Sequence, residues 1–312
     1  MSATARARGR TRGRAAPPAC PLCGGATRHA FTASDLNRAA GEARFDYARC
    51  RSCDSYFLTS PPDDLSPYYP QEYYELRSAR ELDRLAQSQA PIVEMLRERA
   101  GGTGRLVEVG PGEGVFARAA RNGGFDVTAI EMDSRACEHL REVAGVQAIN
   151  SALAQDVIAT LPPSRAIVMW HVIEHLRRPW EVIERAAANL QDGGVLAIAT
   201  PNPRAVQFKL LRRRWAHLDA PRHLFLIPAE TLARRCAELG LGLAATTTDD
   251  RAGRHWNRFG WEYALRRAPR SRPATRTSAV LSAAIARAVG PIERRPGNGC
   301  AYTSLFVKLP AT

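Results

Sequence analysis

Residues Leu106 to Phe116 read L-V-E-V-G-P-G-E-G-V-F, and V-T-A-I-E follows at Val127 to Glu131. An apolar strand here runs straight into three glycines at alternate positions, Gly110, Gly112 and Gly114. A helix-forming segment comes next, and a second apolar strand closes on a carboxylate. Glycines at this spacing let the backbone turn tightly and approach a ligand where a Cβ would block contact. Glu131, at the tip of the second strand, is placed to accept both hydroxyls of a ribose, at roughly 1.5–3 kcal/mol per hydrogen bond to a charged group. The two elements together predict a nucleoside site at the carboxyl edge of a parallel sheet.

Outward from this stretch, strands and helices alternate. Strand Arg105–Val109, helix Phe116–Asn122, strand Asp126–Ile130 and helix Ser134–Val143 are expected first. A short strand near Val146–Ile149, strand Ala166–Trp170, helix Trp180–Gln191 and strand Val195–Ala199 continue the pattern. Helix Ala229–Leu239, strand Leu241–Thr247 and a last strand Ala301–Lys308 complete it. Alternation at this spacing means an α/β fold with a doubly wound, parallel sheet.

A dinucleotide fingerprint reads G-x-G-x-x-G. Here the spacing is G-x-G-x-G, with Glu108 two residues before the first glycine. This resembles the first motif of the class I S-adenosylmethionine-dependent methyltransferases. The resemblance implies a Rossmann-like methyltransferase sheet whose last strand is antiparallel, and S-adenosylmethionine as cofactor. It also implies that the loop of Glu108, Gly110, Gly112 and Gly114 cradles the amino-acid end of the cofactor and that Glu131 takes the ribose. Ala152 and Leu153 would flank the adenine, Met132 would also touch the cofactor, and His171 would face the cofactor cleft. The segment between the last two strands often covers the active site in that class, so residues 249–299 are expected to form a lid.

Four cysteines precede the sheet as C-x₂-C-x₂₆-C-x₂-C at Cys20, Cys23, Cys50 and Cys53. Each C-x-x-C makes a tight knuckle, and two knuckles complete a tetrahedral four-sulfur site suited to structural zinc. Disulfides or a redox dithiol are the rivals. Three further cysteines, Cys137, Cys236 and Cys300, make the total odd, and the N-terminus shows no secretory pattern, which disfavours a disulfide scaffold. The expected organisation is a basic tail over 1–18, a small N-terminal zinc ribbon over 19–60, a connector and helix over 61–100, and the methyltransferase domain over 101–312. The connector holds Tyr68, Tyr69, Tyr73 and Tyr74, candidate hydrogen-bond donors to an acceptor. Arg80 to Arg99 reads as an amphipathic helix that Pro91 kinks or restarts.

Chemistry is expected at the end of the fourth strand, in Met169-Trp-His-Val-Ile-Glu-His175, and in Trp215-Ala-His-Leu-Asp-Ala-Pro-Arg-His-Leu-Phe225. His171 and His223 are the candidate bases for an oxygen acceptor, because an unperturbed histidine titrates near neutral pH. Glu174 and His175 have a plainer reading, bracing the turn. Pro221 is expected to hold the chain extended and aim Arg222 and His223 into the cleft. Together with Thr200-Pro-Asn202, this pattern resembles a broad group of bacterial methyltransferases with an N-terminal four-cysteine module. That resemblance implies a small-molecule acceptor: a sugar, a nucleotide-linked sugar or a natural-product intermediate.

The formal charge of +13 invites a nucleic-acid reading. Its distribution argues against one: Arg6 to Arg14 supply five charges, and Arg251–Arg295 holds eleven arginines against Glu262 and Glu293, leaving the remainder near neutral. Nucleic-acid binders spread cations over a docking face, so RNA or protein as acceptor, or a non-catalytic zinc-ribbon binding protein on this fold, are the competing readings. Hydrophobic content of 45% suffices for a core, and no apolar run reaches the roughly 20 residues of a membrane span. The start lacks a signal sequence's apolar stretch, so a cytoplasmic place is expected, with peripheral contact at the inner membrane face through the basic segment. Within it Thr277 to Val289 reads as a helix with Val280, Leu281, Ala284, Ile285 and Ala288 on one face. The acceptor suited to such a surface is anionic or lipid-linked.

Overall fold

The computed structural model describes residues 17–38, 41–70, 73–264 and 276–310, without the side chains of 251, 252 and 276–279, and among the described residues the chain forms eleven strands and ten α-helices. Strands β1 (Thr27–Ser34), β2 (Arg44–Cys50) and β3 (Tyr56–Leu58) come first. Helices α1 (Ala79–Gln87) and α2 (Ala90–Arg99) follow, then β4 (Arg105–Val109), α3 (Val115–Asn122), β5 (Asp126–Glu131), α4 (Ser134–His139), β6 (Gln147–Asn150) and α5 (Ala154–Thr160). The second half runs β7 (Ser164–Trp170), α6 (Pro179–Asn189), β8 (Leu190–Pro201), α7 (Val206–Leu211), β9 (Phe225–Leu226), α8 (Ala229–Glu238) and β10 (Leu241–Thr247). Helices α9 (Arg251–Ala264) and α10 (Arg276–Glu293) and strand β11 (Ala301–Lys308) complete it. The basic tail expected over 1–18 lies outside the described residues except for its last two.

Seven strands form the central sheet in the order β10-β11-β8-β7-β4-β5-β6. All are parallel except β11, which pairs antiparallel with both β8 and β10. Residues Ile167–Met169 and Val195–Ile198 are fully buried, as expected of strands covered on both faces. From β4 the chain winds outward to β5 and β6 and then returns to β7. The strand order therefore reverses between β4 and β7, where a doubly wound sheet opens a crevice at its carboxyl edge.

Pro91 sits in the first turn of α2. Its missing N–H costs nothing there and its fixed φ suits a helix start, so the expected long helix is two. Serine 78 caps α1, accepting from the Glu81 backbone while the Glu81 side chain accepts from Ser78. Helix α5 and strand β9 were not expected.

Strand β9 matters most. It pairs with β3, so the four-stranded sheet β1-β2-β3-β9 joins the cysteine module to a segment 170 residues downstream of it. The Trp180 indole donates to the Leu22 carbonyl at 2.8 Å, and Thr231 Oγ1 donates to the Cys53 carbonyl at 2.6 Å. Cys20, Cys50 and Cys53 share one apolar core with Ile173, Phe208, Trp215 and Leu224. The module is thus built into the wall of the larger domain.

Helix α10 turns the face read from its apolar residues outward. Val280 is 71% and Leu281 50% exposed, Ala284 and Ala288 are exposed, and Ser282 and Glu293 are buried instead. Glu293 accepts from Gln207 Nε2 and Trp261 Nε1, each at 2.9 Å, which satisfies its buried carboxylate.

Candidate active site

The crevice has two halves. On one, Gly110, Gly112 and Gly114 carry φ of +64°, +54° and +80°, backbone that side chains other than glycine's rarely adopt. A Cβ on Gly112 would also stand 2.8 Å from the Tyr74 ring, and one on Gly110 would stand 2.6 Å from Val172. Glu131 is buried at the end of β5, its Oε2 accepting from Gly112 N at 3.1 Å and its Oε1 from Asp133 N at 3.0 Å. Burial pushes its pKa up, while these backbone donors pull it down. Glu108 is buried beneath, and its Oε2 has no hydrogen-bond partner among the described residues. Burial, reinforced by the charge of Glu131, pushes Glu108 up to about 8.

Met132 and Leu153 form the lip of this half, 64% and 54% exposed, beside exposed Ala152. Asn150 Nδ2 donates to the carbonyls of Glu131 and Met132, both at 3.0 Å, and so fixes the lip. Two large apolar side chains standing open at a strand end suit the faces of a planar base.

On the other half lies a cavity of about 180 Å³. Its wall comes from Asn37 and Arg38 after β1, Tyr73 of the connector, His171, Glu174 and His175 after β7, His217, Asp219 and His223 before β9, and Trp256 and Phe259 of α9. His171 stands at φ +56°, a left-handed conformation that costs a non-glycine residue of order 1–3 kcal/mol. Its ring packs edge-on against Trp256 at 5.4 Å, and its Nδ1 lies 3.5 Å from Glu174 Oε1.

Glu174 is fully buried, Oε2 accepting from Thr200 Oγ1 at 2.9 Å, with Oε1 lacking a hydrogen bond among the described residues. Burial raises its pKa, and the surrounding His171, His223 and His175 imidazoles outweigh that and hold the carboxyl below its ordinary range.

Backbone carbonyls fix three histidine tautomers, because a carbonyl only accepts. His175 Nδ1 lies 3.1 Å from Arg222 O and 3.0 Å from Tyr69 Oη, so Nδ1 carries the proton. His223 Nδ1 donates to His217 O at 2.9 Å, and its Nε2 lies 4.0 Å from Asp219 Oδ2. His217 Nε2 donates to Trp256 O at 3.1 Å. Burial pushes His175 down to about 4 and His217 to about 3, so both are neutral at pH 7.

Two expectations need correction. Arg222 does not reach into the cleft: it is fully buried, paired to Asp35 at 2.8 Å and to Asp219 at 2.7 Å. Burying a guanidinium demands such partners, and buried Asp35 together with Asp219 of the wall supplies them. The four tyrosines also divide. Tyr73 lines the cavity, Tyr69 bonds His175, Tyr74 lies against Gly112, and Tyr68 packs edge-on to Phe45. The wall residues Asn37, Arg38, His217, Trp256 and Phe259 were not foreseen as a group. His217 lay inside the motif already quoted; the others carry no local pattern.

The four cysteine sulfurs converge to within 4.8 Å of one another. Cys20 Sγ and Cys53 Sγ are 3.7 Å apart, and Cys23 Sγ and Cys50 Sγ 3.5 Å. Backbone N–H groups of Ser52 and Cys53 point at Cys50 Sγ, at 3.3 and 3.4 Å.

A seven-stranded sheet with one reversed strand, a glycine loop closed by an acid, and a histidine-lined cavity beside it define a methyltransferase of the S-adenosylmethionine-dependent class. The chain belongs to the family described as Methyltransferase domain, which it matches over residues 71–246. That span holds the glycine loop, His171 and His223 but neither the cysteine module nor α9 and α10. No curated protein sequence matches the chain. Among solved structures it is similar to an S-adenosylmethionine-dependent methyltransferase from Archaeoglobus fulgidus, with a TM-score of 0.50 and 14% identity over 73% of this chain and 94% of that one. A protein described as a putative sarcosine dimethylglycine methyltransferase from Galdieria sulphuraria gives 0.48 and 16% over 74% and 86%. A geranyl diphosphate methyltransferase gives 0.47 and 14% over 70% and 78%.

Proposed function

We propose that this enzyme transfers a methyl group from S-adenosylmethionine to a small-molecule acceptor, a sugar, nucleotide-linked sugar or natural-product intermediate. One observation carries the reading: consecutive residues straddle the two halves of the crevice. Val172 lies against Gly110 while His171 lines the cavity, and Tyr74 lies against Gly112 while Tyr73 lines it. A ligand on the glycine loop and one in the cavity would therefore share a wall one residue thick.

In this reading the loop of Glu108, Gly110, Gly112 and Gly114 receives the amino-acid end of the cofactor, Glu131 the ribose, and Met132, Ala152 and Leu153 the adenine. S-adenosylmethionine supplies an electrophilic methyl group on a sulfonium. The chain's task is mostly alignment, worth several kcal/mol. His171 takes the proton from an acceptor hydroxyl, and Glu174 beside its Nδ1 stabilises the imidazolium that results. His223, which lines the cavity beside Asp219, orients the acceptor.

The four cysteines hold a structural zinc ion in this account. A tetrahedron with Zn–S bonds of about 2.3 Å has edges of about 3.8 Å, close to the sulfur separations of 3.5 and 3.7 Å. A closed four-sulfur site leaves no position for substrate.

The outward face of α10 supports peripheral contact with an anionic membrane, where a lipid-linked acceptor would reside. Val280 and Leu281 are exposed there beside exposed Arg287, and each basic residue near such a surface adds about 1 kcal/mol. Sedimentation with anionic and neutral vesicles tests it: binding to the anionic vesicles alone, lost at high salt, is expected, and equal or no binding contradicts it.

The transfer itself is tested by supplying S-adenosylmethionine with a labelled methyl group and an extract of small metabolites. Label in the small-molecule fraction is the expected result. Label confined to protein or RNA would overturn the small-molecule reading.

A further inference from the structure

We infer that Arg38 is an anion-binding residue of the acceptor cavity, so that the acceptor carries a phosphate or carboxylate in addition to the group that is methylated. This deepens the transferase reading and rests on it. Among the described residues Arg38 is the one lysine or arginine lining the cavity. Its guanidinium lies 4.7 Å over the Tyr73 ring and forms no hydrogen bond or ion pair with any described residue. Arg222 nearby makes the contrast: it is closed off by Asp35 and Asp219.

The turn that carries Arg38 is held firmly. Its backbone N–H donates to Asp35 Oδ1 at 3.0 Å, and that carboxylate is itself fixed by the buried Arg222. Asn37 Nδ2 donates to Ala216 O at 2.9 Å. Stacking on Tyr73 limits the remaining freedom of the guanidinium, so its fork is presented in one place, ready for a two-oxygen anion. The cavity's own carboxylates are committed elsewhere, Asp219 to Arg222 and Glu174 to Thr200 and the imidazole cluster. They leave the Arg38 charge for a ligand.

In the transferase reading the acceptor hydroxyl lies at His171, whose Nδ1 is 3.5 Å from Glu174 Oε1, and the anionic group lies at Arg38. The ligand class is therefore a hydroxylated molecule with an anionic oxygen group, held in a cavity that Trp256 and Phe259 also line.

The test uses the full chain saturated with S-adenosylhomocysteine and titrated calorimetrically with glucose, glucose 1-phosphate and glucuronate. At least one anionic sugar is expected to bind about tenfold or more tightly than glucose, the effect of one charge-assisted hydrogen bond. Which of the two does so separates phosphate from carboxylate. Arg38→Gln should abolish the advantage, and Arg38→Lys should keep part of it. Affinity for S-adenosylhomocysteine, read in the same proteins, should be unchanged and reports that the variants are folded. Equal binding of all three sugars, no sugar binding, or an advantage that survives Arg38→Gln would overturn the inference. If the cofactor product still binds in those cases, the transferase reading stands; if wild-type protein fails to bind it, that reading falls first.

Discussion

The two halves of the crevice are assembled over different distances along the chain. In the proposed reading the half that takes the cofactor closes locally, with Gly112 N meeting Glu131 Oε2 across 19 residues. The acceptor half closes across the whole fold: Arg222 meets Asp35 across 187 residues, and His175 meets Tyr69 across 106. One half is a strand–loop–strand motif that any protein of this sheet type can carry. The other is a wall contributed by the cysteine module, the connector, two loops of the sheet edge and α9. The difference teaches that the cysteine module helps build the cavity, since Asn37 and Arg38 line it and Asp35 holds the turn that carries them; in the proposed reading the module thereby serves the acceptor half.

Zinc removal puts that division under the greatest stress. Structural zinc contributes about 10–16 kcal/mol of binding free energy in small domains. Cys20→Ser should therefore lose zinc, and the shared core should carry the damage to Leu224 and Trp215. Methyl transfer should vanish while S-adenosylhomocysteine still binds, as metal analysis and calorimetry on one preparation will show. Unimpaired transfer without zinc would break the division.

His171→Ala comes next in size. Loss of a general base typically slows turnover by about 10²–10⁴-fold, and because the ring faces the acceptor half, cofactor affinity should not move. Steady-state kinetics and a binding titration together check this; a variant with normal turnover would remove His171 from the chemistry.

How much of this was legible in the sequence follows the same line. Gly110 to Gly114 and Glu131 announce themselves because turn geometry and strand burial are local properties, and so do the paired cysteines. The seven strands of the sheet follow from apolar runs between helices. Strand β9 has only two residues, Phe225 and Leu226, and exists because β3 offers an edge, which no local pattern encodes. Arg222 looked like a cleft residue for want of Asp35, its distant partner. On helix α10 the apolar face is legible in the sequence, but that it turns outward is not: buried Ser282 and Glu293 point the other side inward, Glu293 through contacts with distant Gln207 and Trp261.

An effect on stability rather than on turnover sharpens the cofactor half. Glu108 is pushed up to about 8 in the folded chain, from an ordinary value of 4.5. Between those pH values the unfolded chain is ionised while the folded chain holds its proton, so stability falls as pH rises, by at most about 1.4 kcal/mol per pH unit. Glu108→Gln should flatten this slope and be more stable than wild type at pH 8 relative to pH 5, as thermal unfolding across that range will read. An unchanged slope would mean that the group already shares its proton with solvent.

Calorimetric titration of the folded wild-type chain and of Glu131→Ala with S-adenosylhomocysteine tests the central claim most directly. Wild type should bind one equivalent, and Glu131→Ala should bind about tenfold or more weakly, the cost of one hydrogen bond to a charged group. Absence of binding by wild-type protein, or equal binding by the variant, would contradict the placement of the cofactor on the Gly110 loop and Glu131.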